Sequence, residues 1–399
     1  MFSDAINISD AINFGKLRVS LAQAGNDANP YQLENVYEAT SPNFGSNPLY
    51  RVPQSQQNPD LTNELTTEFE VGVDLVMFNN RLAIDAAYYD RTTEDQIFNV
   101  PLPSPTGYTS RTLNAGEMRN WGWEFQVKGT PIKQNDLKVD LVLNLSFINN
   151  EVVELLKDED GNSVVENISI GSTWAAEVRV QEGYPYMALF GQNYTYDNNG
   201  NKVVGADGKY VFTSGREYLG SAIADLTGGF STSIDYKNFN FSALFDFQVG
   251  GIIHSTSTQW SKYSGMHPET VAFNGESDTR ANGMVLPGVK EDGTANDVSI
   301  DPQSYYQSVW RAAAPNVFET TYLKFRDARI SYKFPQSTLE NTPFSNLTFG
   351  VFGRNIALIH SDLPYLDPQG VTSSANLQGL ENAQVPSTRS FGFNLTAQF

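Results

Sequence analysis

Ten segments of the chain alternate apolar and polar residues with a period of two, and this pattern restricts the fold more than any other feature. Successive side chains of an extended strand point to opposite faces, so each such segment builds a sheet with one greasy and one wet side. The cleanest sets Leu137, Val139, Leu141, Leu143, Leu145 and Phe147 against Lys138, Asp140, Asn144 and Ser146. Another sets Phe239, Phe241, Phe245, Phe247 and Val249 against Asn240, Ser242, Asp246 and Gln248, and a third ends the sequence with Phe391, Phe393, Leu395, Ala397 and Phe399. The same reading covers Leu17 to Leu21, Phe69 to Met77, Leu82 to Tyr88, Trp123 to Val127, Leu226 to Tyr236 and Leu347 to Val351. In the run Leu323, Phe325, Ala328, Ile330, Tyr332 the apolar phase slips by one, which predicts a β-bulge near Asp327.

The period alone does not say whether the greasy side meets a protein core or lipid. The connections discriminate. Long ones at about 25–61, 94–118, 150–224, 251–318 and 357–386 alternate without exception with short ones at 78–80, 130–135, 237–238 and 335–346. An antiparallel up-and-down sheet with tight turns at one end and long loops at the other is the architecture of outer-membrane barrels, whose short turns are periplasmic and long loops extracellular. A Greek-key sandwich has no reason to segregate loop lengths in this way. Tyr88, Tyr89, Trp121, Trp123, Tyr236, Phe239, Tyr332 and Phe334 lie near strand ends, where interfacial aromatic girdles are expected. The expected fold class is therefore an all-β transmembrane barrel. Roughly 230 residues of outer loop are too many for the rim of a ten-stranded barrel, so the chain is expected to supply part of a wider wall.

Composition removes several other classes. A net charge of −19 over 399 residues repels polyphosphates and excludes nucleic-acid binding. With no cysteine there is no disulfide, thiolate metal site or Cys nucleophile, and the three histidines, His254, His267 and His360, are scattered. No apolar stretch reaches the roughly 18 residues of a spanning helix. Asp4 and Asp10 precede the first base at Lys16, the reverse of a secretory leader, so the expectation is a chain whose leader is removed or a piece of something longer.

The loop-to-strand junctions carry motifs. Asn58-Pro59-Asp60-Leu61, followed by Glu64, Thr66, Thr67 and Phe69-Glu70-Val71-Gly72, resembles a signature of TonB-dependent receptor barrels, and Asn114-Ala115-Gly116 with Asn120-Trp121-Gly122-Trp123-Glu124 resembles the segment two strands later. Gln23-Ala24-Gly25-Asn26-Asp27, Gly220 with Asp225-Leu226-Thr227-Gly228-Gly229-Phe230, Tyr322-Leu323-Lys324-Phe325-Arg326, Gly353-Arg354-Asn355 and Asp367-Pro368 recur in that order in the SusC/RagA type, the nutrient importers of Bacteroidetes. Gln369 stands where that type usually has Glu, and Ala224 where a Pro commonly precedes the Asp. The resemblance implies that residues 1–399 are the C-terminal ten or so strands of a 22-stranded barrel in the outer membrane. It also implies, as partners, an N-terminal plug and barrel portion on the same or a separate chain, the TonB complex acting through that portion, a SusD-like surface lipoprotein and outer-membrane lipid.

The chemistry to expect is capture of a glycan, oligosaccharide or peptide rather than catalysis. Trp174, Tyr184, Tyr186, Tyr194, Trp260, Tyr263, Tyr305, Trp310 and Tyr365 fall in the long loops among amides and carboxylates, a mixture suited to stacking on sugar rings or gripping peptide side chains. The same rings would equally pack the loops upon themselves or dock a partner. Glu68, Glu70, Asp74, Asp85, Glu124, Asp140, Asp235 and Asp246 fall on the polar phase, where a lumen wall is expected. Read as an acid and base pair, Glu68 and Glu70 would make a hydrolase, but any acidic strand face produces such pairs. The turns Asp158-Glu159-Asp160-Gly161-Asn162 and Asp197-Asn198-Asn199-Gly200-Asn201 lack the spacing of a calcium loop and are read as solvated turns. No cofactor, metal or catalytic residue is expected. The alternative is a soluble or surface β-sandwich that binds carbohydrate without transport. Extraction separates the two: the barrel reading expects the chain only in detergent, and recovery of a soluble monomer from a detergent-free lysate refutes it.

Overall fold

The computed structural model describes residues 11–158, 160–373 and 378–399; Asp4, Asp10 and Glu159, named above, lie outside them. Ten strands form one antiparallel sheet in strict sequence order. They are β1 (Ile12–Asn26), β2 (Glu64–Met77), β3 (Leu82–Glu94), β4 (Glu117–Lys133) and β5 (Leu137–Glu154), then β6 (Leu226–Tyr236), β7 (Phe239–Val249), β8 (Tyr322–Lys333), β9 (Asn346–Ser361) and β10 (Ser390–Gln398). Each alternating segment of the sequence lies in one of them. Among the described residues β1 and β10 pair with one inner neighbour each, so the sheet is open at both edges.

Several strands run past the alternation that predicted them. The ladder between β4 and β5 continues through Trp121–Asn149 and Arg119–Glu151, where the apolar phase has ended. Backbone pairing does not depend on side-chain polarity, so a ladder can extend above the membrane where hydropathy gives no signal. The phase slip in β8 is a bulge: Leu244 pairs with Asp327 but Phe245 with Phe325, leaving Arg326 as the extra residue.

Register carries each face across the whole sheet. On one side Val71 lies beside Tyr88, Tyr88 beside Trp123, Trp123 beside Phe147; lower down Leu143 lies beside Phe230 and Phe230 beside Phe245. On the other, Asp74 lies beside Asp85, Asp85 beside Gln126, Gln126 beside Asn144, Asn144 beside Gly229 and Gly229 beside Asp246. Among the described residues no buried apolar cluster covers the greasy side. The three buried apolar clusters lie in the long connections, joined by Val152 near the long-loop end of β5, and Leu137, Leu141 and Phe245 belong to none of them. Phe391, Phe393 and Leu395 at the β10 edge remain 72%, 76% and 63% exposed. A face of this size and polarity belongs against acyl chains.

Aromatic rings collect at both ends of that face. Tyr88 meets Trp123 at 5.0 Å on the long-loop side, while Phe239, Tyr332 and Phe334 meet at 4.8 and 5.2 Å beside the short turns. Tyr89 is a correction to the expected girdle. Neighbouring residues of a strand face opposite ways, so Tyr88 and Tyr89 cannot both meet lipid. Tyr89 lies on the lumen side over Gly122, where an added Cβ would come within 2.8 Å of the tyrosine oxygen.

The two faces tolerate charge differently. Leu143→Arg, on the greasy side near mid-height, is expected to cost about 2–4 kcal/mol in a bilayer, whereas Ser231→Arg on the wet side costs less than about 1 kcal/mol. Denaturant unfolding of the barrel in lipid vesicles measures the difference.

Candidate functional site in the outer loops

The site is built on a short helix. In α1 (Thr256–Tyr263) the Ser255 hydroxyl caps the first turn by accepting from the Thr258 amide. Glu381, from the last long connection, secures the same end: it accepts from the Ser255 hydroxyl at 2.7 Å, the Ser257 hydroxyl at 2.6 Å and the Ser257 amide at 3.1 Å. Trp260 and Tyr263 are three residues apart and therefore share a face. Trp310 follows another short helix, α2 (Pro302–Ser308), and its carbonyl accepts from the Gln259 side chain. Trp174 arrives from the connection at 155–225.

Four of the nine sequence-selected rings thus converge from two connections, on a support supplied by a third. Trp260 lies 5.5 Å from Trp174, 5.5 Å from Tyr263 and 5.9 Å from Trp310, with Tyr263 and Trp310 6.2 Å apart. Trp174 remains 56% exposed and Trp260 40%. The Arg311 guanidinium lies 5.0 Å over the Trp310 ring. Offset and edge-on ring pairs leave indole faces open to a ligand, and the cation adds a donor beside them.

The other five rings are placed differently. Tyr305 is buried in a loop cluster with Met284, Leu286 and Tyr306. Tyr194 packs 5.0 Å from Tyr210 and beneath Lys202, whose Nζ is 3.7 Å from the ring centre. Burial raises the Tyr194 and Tyr305 phenols, pushes Tyr210 up to about 12 and lowers Lys202, so these tyrosines stay neutral and fill space. Tyr184 packs against Phe190 and Tyr218, and Tyr186 against two loop clusters. Tyr365 is 70% exposed, edge-on to His267 at 5.0 Å and apart from the tryptophans. His254 is fully buried beside Ile253, and burial lowers it to about 4.

The sequence reading did not foresee a polar latch between the last long connection and the wall. Arg326, aimed by the β8 bulge, donates to Asp246 at 2.5 and 2.8 Å, to Asn355 at 3.0 Å and to Gln369. Lys324 donates to Asp367 at 2.5 Å and Gln369 at 2.9 Å, and the Gln369 amide donates to the Tyr322 hydroxyl at 2.9 Å. Tyr322, Lys324, Arg326, Asn355, Asp367 and Gln369 all belong to, or directly follow, motifs quoted above. Their scattered positions in sequence form one network. Burial alone would raise the Asp367 carboxyl, yet hydrogen bonds from Lys324, Ser387 and the Gln369 backbone N–H hold it well below the ordinary aspartate range.

Below the latch a cavity of about 630 Å³ is lined by Arg18, Glu70, Asp85, Glu124, Asp246 and Tyr322. Arg18 donates to Asp74 and, at 2.9 Å, to Asp85, while Glu68 is paired with Arg91. Glu68 and Glu70 thus belong to separate ion pairs. Asp158 and Asp197 accept the amides of their own turns, Asn162 and Asn201 at 2.8 Å each, and among the described residues no three His, Asp or Glu side chains gather as a metal site.

Comparison with known proteins follows from this geometry. A family profile described as "TonB dependent receptor-like, beta-barrel" matches residues 5–356. The chain belongs to that family. It is an outer-membrane protein. TonB-dependent receptor P26 of Formosa agariphila is 25% identical over 421 residues, covering 96% of this chain and 40% of the relative. TonB-dependent receptor SusC of Bacteroides thetaiotaomicron is 30% identical over 244 residues, covering 55% of this chain and 24% of SusC. The chain thus spans about 40% of the length of the curated relatives that match it throughout. In fold it is similar to a chain of the RagAB peptide importer in the closed-closed state, with a TM-score of 0.75 at 19% identity over 100% of this chain and 42% of that one.

The latch has a pH signature. Because the folded Asp367 value lies below the unfolded one, its contribution is complete at neutral pH and is lost as pH falls below about 4, the ordinary aspartate value. Hydrogen-exchange protection of residues 362–373 and 378–389 is expected to fade over that range, and Asp367→Asn to lower it at pH 7 and remove its acid dependence.

Proposed function

We propose that residues 1–399 are the C-terminal part of the barrel of a TonB-linked outer-membrane importer for glycans, oligosaccharides or peptides, with no catalytic activity of its own. The connections at about 25–61, 94–118, 150–224, 251–318 and 357–386 are its extracellular loops. Two unpaired sheet edges support this reading, because a membrane strand needs a hydrogen-bonded neighbour on each side. The barrel portion that completes the wall and the plug that fills it are supplied by the same or a separate chain, and that portion carries the link to TonB. A SusD-like lipoprotein covers the loops from outside. SusC and a chain of the RagAB peptide importer are the similar proteins that support this assignment.

The observation that carries the proposal is the exposed cluster of Trp174, Trp260, Tyr263 and Trp310 on the loop crown above an acidic, water-facing wall. These four rings form the outer solute wall. Tyr365 is a separate contact, and Tyr184, Tyr186, Tyr194 and Tyr305 hold the loops that present the wall. Trp260→Ala and Trp310→Ala are each expected to weaken solute binding by roughly tenfold, the worth of one stacked ring. Titration calorimetry on the assembled receptor measures it; unchanged affinity in both variants, with the fold intact, removes the assignment.

A further inference from the structure

The greasy face has a gap near its short-turn end. Leu82 of β3 lies opposite Gly129 of β4, and Gly129 opposite Leu141 of β5. Gly129 adds no side chain to this row, and a Cβ built there meets nothing nearer than the Arg81 carbonyl at 4.0 Å. Just below, the ladder skips: Val139 pairs with Ile132 but Leu141 with Gly129, so Thr130 and Pro131 bulge opposite Asp140. The missing side chain and the bulge together leave a groove of about 480 Å³ walled by Leu82, Val127, Pro131, Leu141, Leu143 and Phe230.

One charged residue lines this groove, Arg81. It closes the turn after β2, its amide donating to the Met77 carbonyl at 3.0 Å and its carbonyl accepting from Thr130 at 2.7 Å. The backbone is therefore fixed to β2 and to β4, while the side chain is exposed and has no carboxylate partner among the described residues. Phe78, 54% exposed, lies on the same rim. An unpaired guanidinium beside hydrocarbon is costly unless it reaches a headgroup. Here it belongs to a short turn, at the same end of the sheet as the Phe239, Tyr332 and Phe334 girdle, where lipid phosphates lie.

We propose that this groove is a binding site for one glycerophospholipid of the periplasmic-side leaflet. An acyl chain lies over Gly129 in the space a side chain would otherwise fill, and the Arg81 guanidinium donates to the phosphate. Charge selects the occupant: an apolar slot alone accepts any hydrocarbon, but an arginine at its mouth prefers an amphiphile with an anionic oxygen at one end. The short-turn position assigns it to the inner leaflet. The inference is independent of the solute and of the loop assignment.

The test uses the complete receptor in mild detergent, wild type and the variants Arg81→Gln and Gly129→Phe, titrated with phosphatidylglycerol and phosphatidylethanolamine and read by native mass spectrometry. Gly129 has an ordinary extended backbone and open space, so phenylalanine fills the slot without strain. Wild type is expected to retain one phospholipid, Arg81→Gln to bind it about tenfold more weakly, and Gly129→Phe to lose it. Diacylglycerol, which has the same tails and no phosphate, should bind wild type and Arg81→Gln alike. Equal phospholipid retention by wild type and Arg81→Gln overturns the proposal, as does occupancy by inorganic phosphate at the same affinity. Arg81→Gln changes an exposed turn side chain, so the result stands even where Gly129→Phe fails to assemble.

Discussion

A strand among acyl chains has no water to complete its hydrogen bonds, so each backbone donor and acceptor must find a protein partner. The wall follows from that requirement. Ten strands pair in sequence order because each short turn and each long connection alike returns the chain to the free edge of the strand it has just left. Among the described residues β1 and β10 have one partner each, so the same requirement calls for a further strand beside each of them. The same constraint explains why side chains sort so completely: a one-residue slip in any ladder would turn its carboxylates toward lipid.

A wall that keeps its greasy face for lipid cannot use that face as a core, so folding energy for the rest of the chain comes from elsewhere. The long connections supply it. Val178, Leu189, Ile253, Leu286 and Leu363 are fully buried, and all lie outside the ten wall strands. These packed loops hold α1 in place, and Trp260 on it stays 40% exposed. The latch of Lys324, Arg326, Asp246, Asp367 and Gln369 then ties the last long connection to β7 and β8 of the wall.

The strands were legible in sequence because hydrophobic periodicity reports the environment on either side of a residue, and a membrane barrel has the sharpest such contrast. The bulge at Arg326 was legible for the same reason, as a slip in phase. Tyr89 was misread because proximity to a strand end was allowed to outweigh its parity with Tyr88. The loops were harder. Trp174, Trp260, Tyr263 and Trp310 were selected with Tyr194 and Tyr305 on composition alone, and composition cannot separate a ring that faces solvent from one that fills a loop core. The latch residues were noticed as motifs, without any sign that they touch.

The sequence by itself determined that the chain is a lipid-facing antiparallel wall with its loops segregated to one end, since alternation and connection length are local properties written along the chain. Only the tertiary structure decided which aromatic rings meet, that Gln369 joins Lys324 and Arg326 in one network, and that the outer face is notched at Gly129. Those facts depend on residues tens to hundreds of positions apart being brought within a few ångströms, through loop packing and strand register that no local pattern encodes.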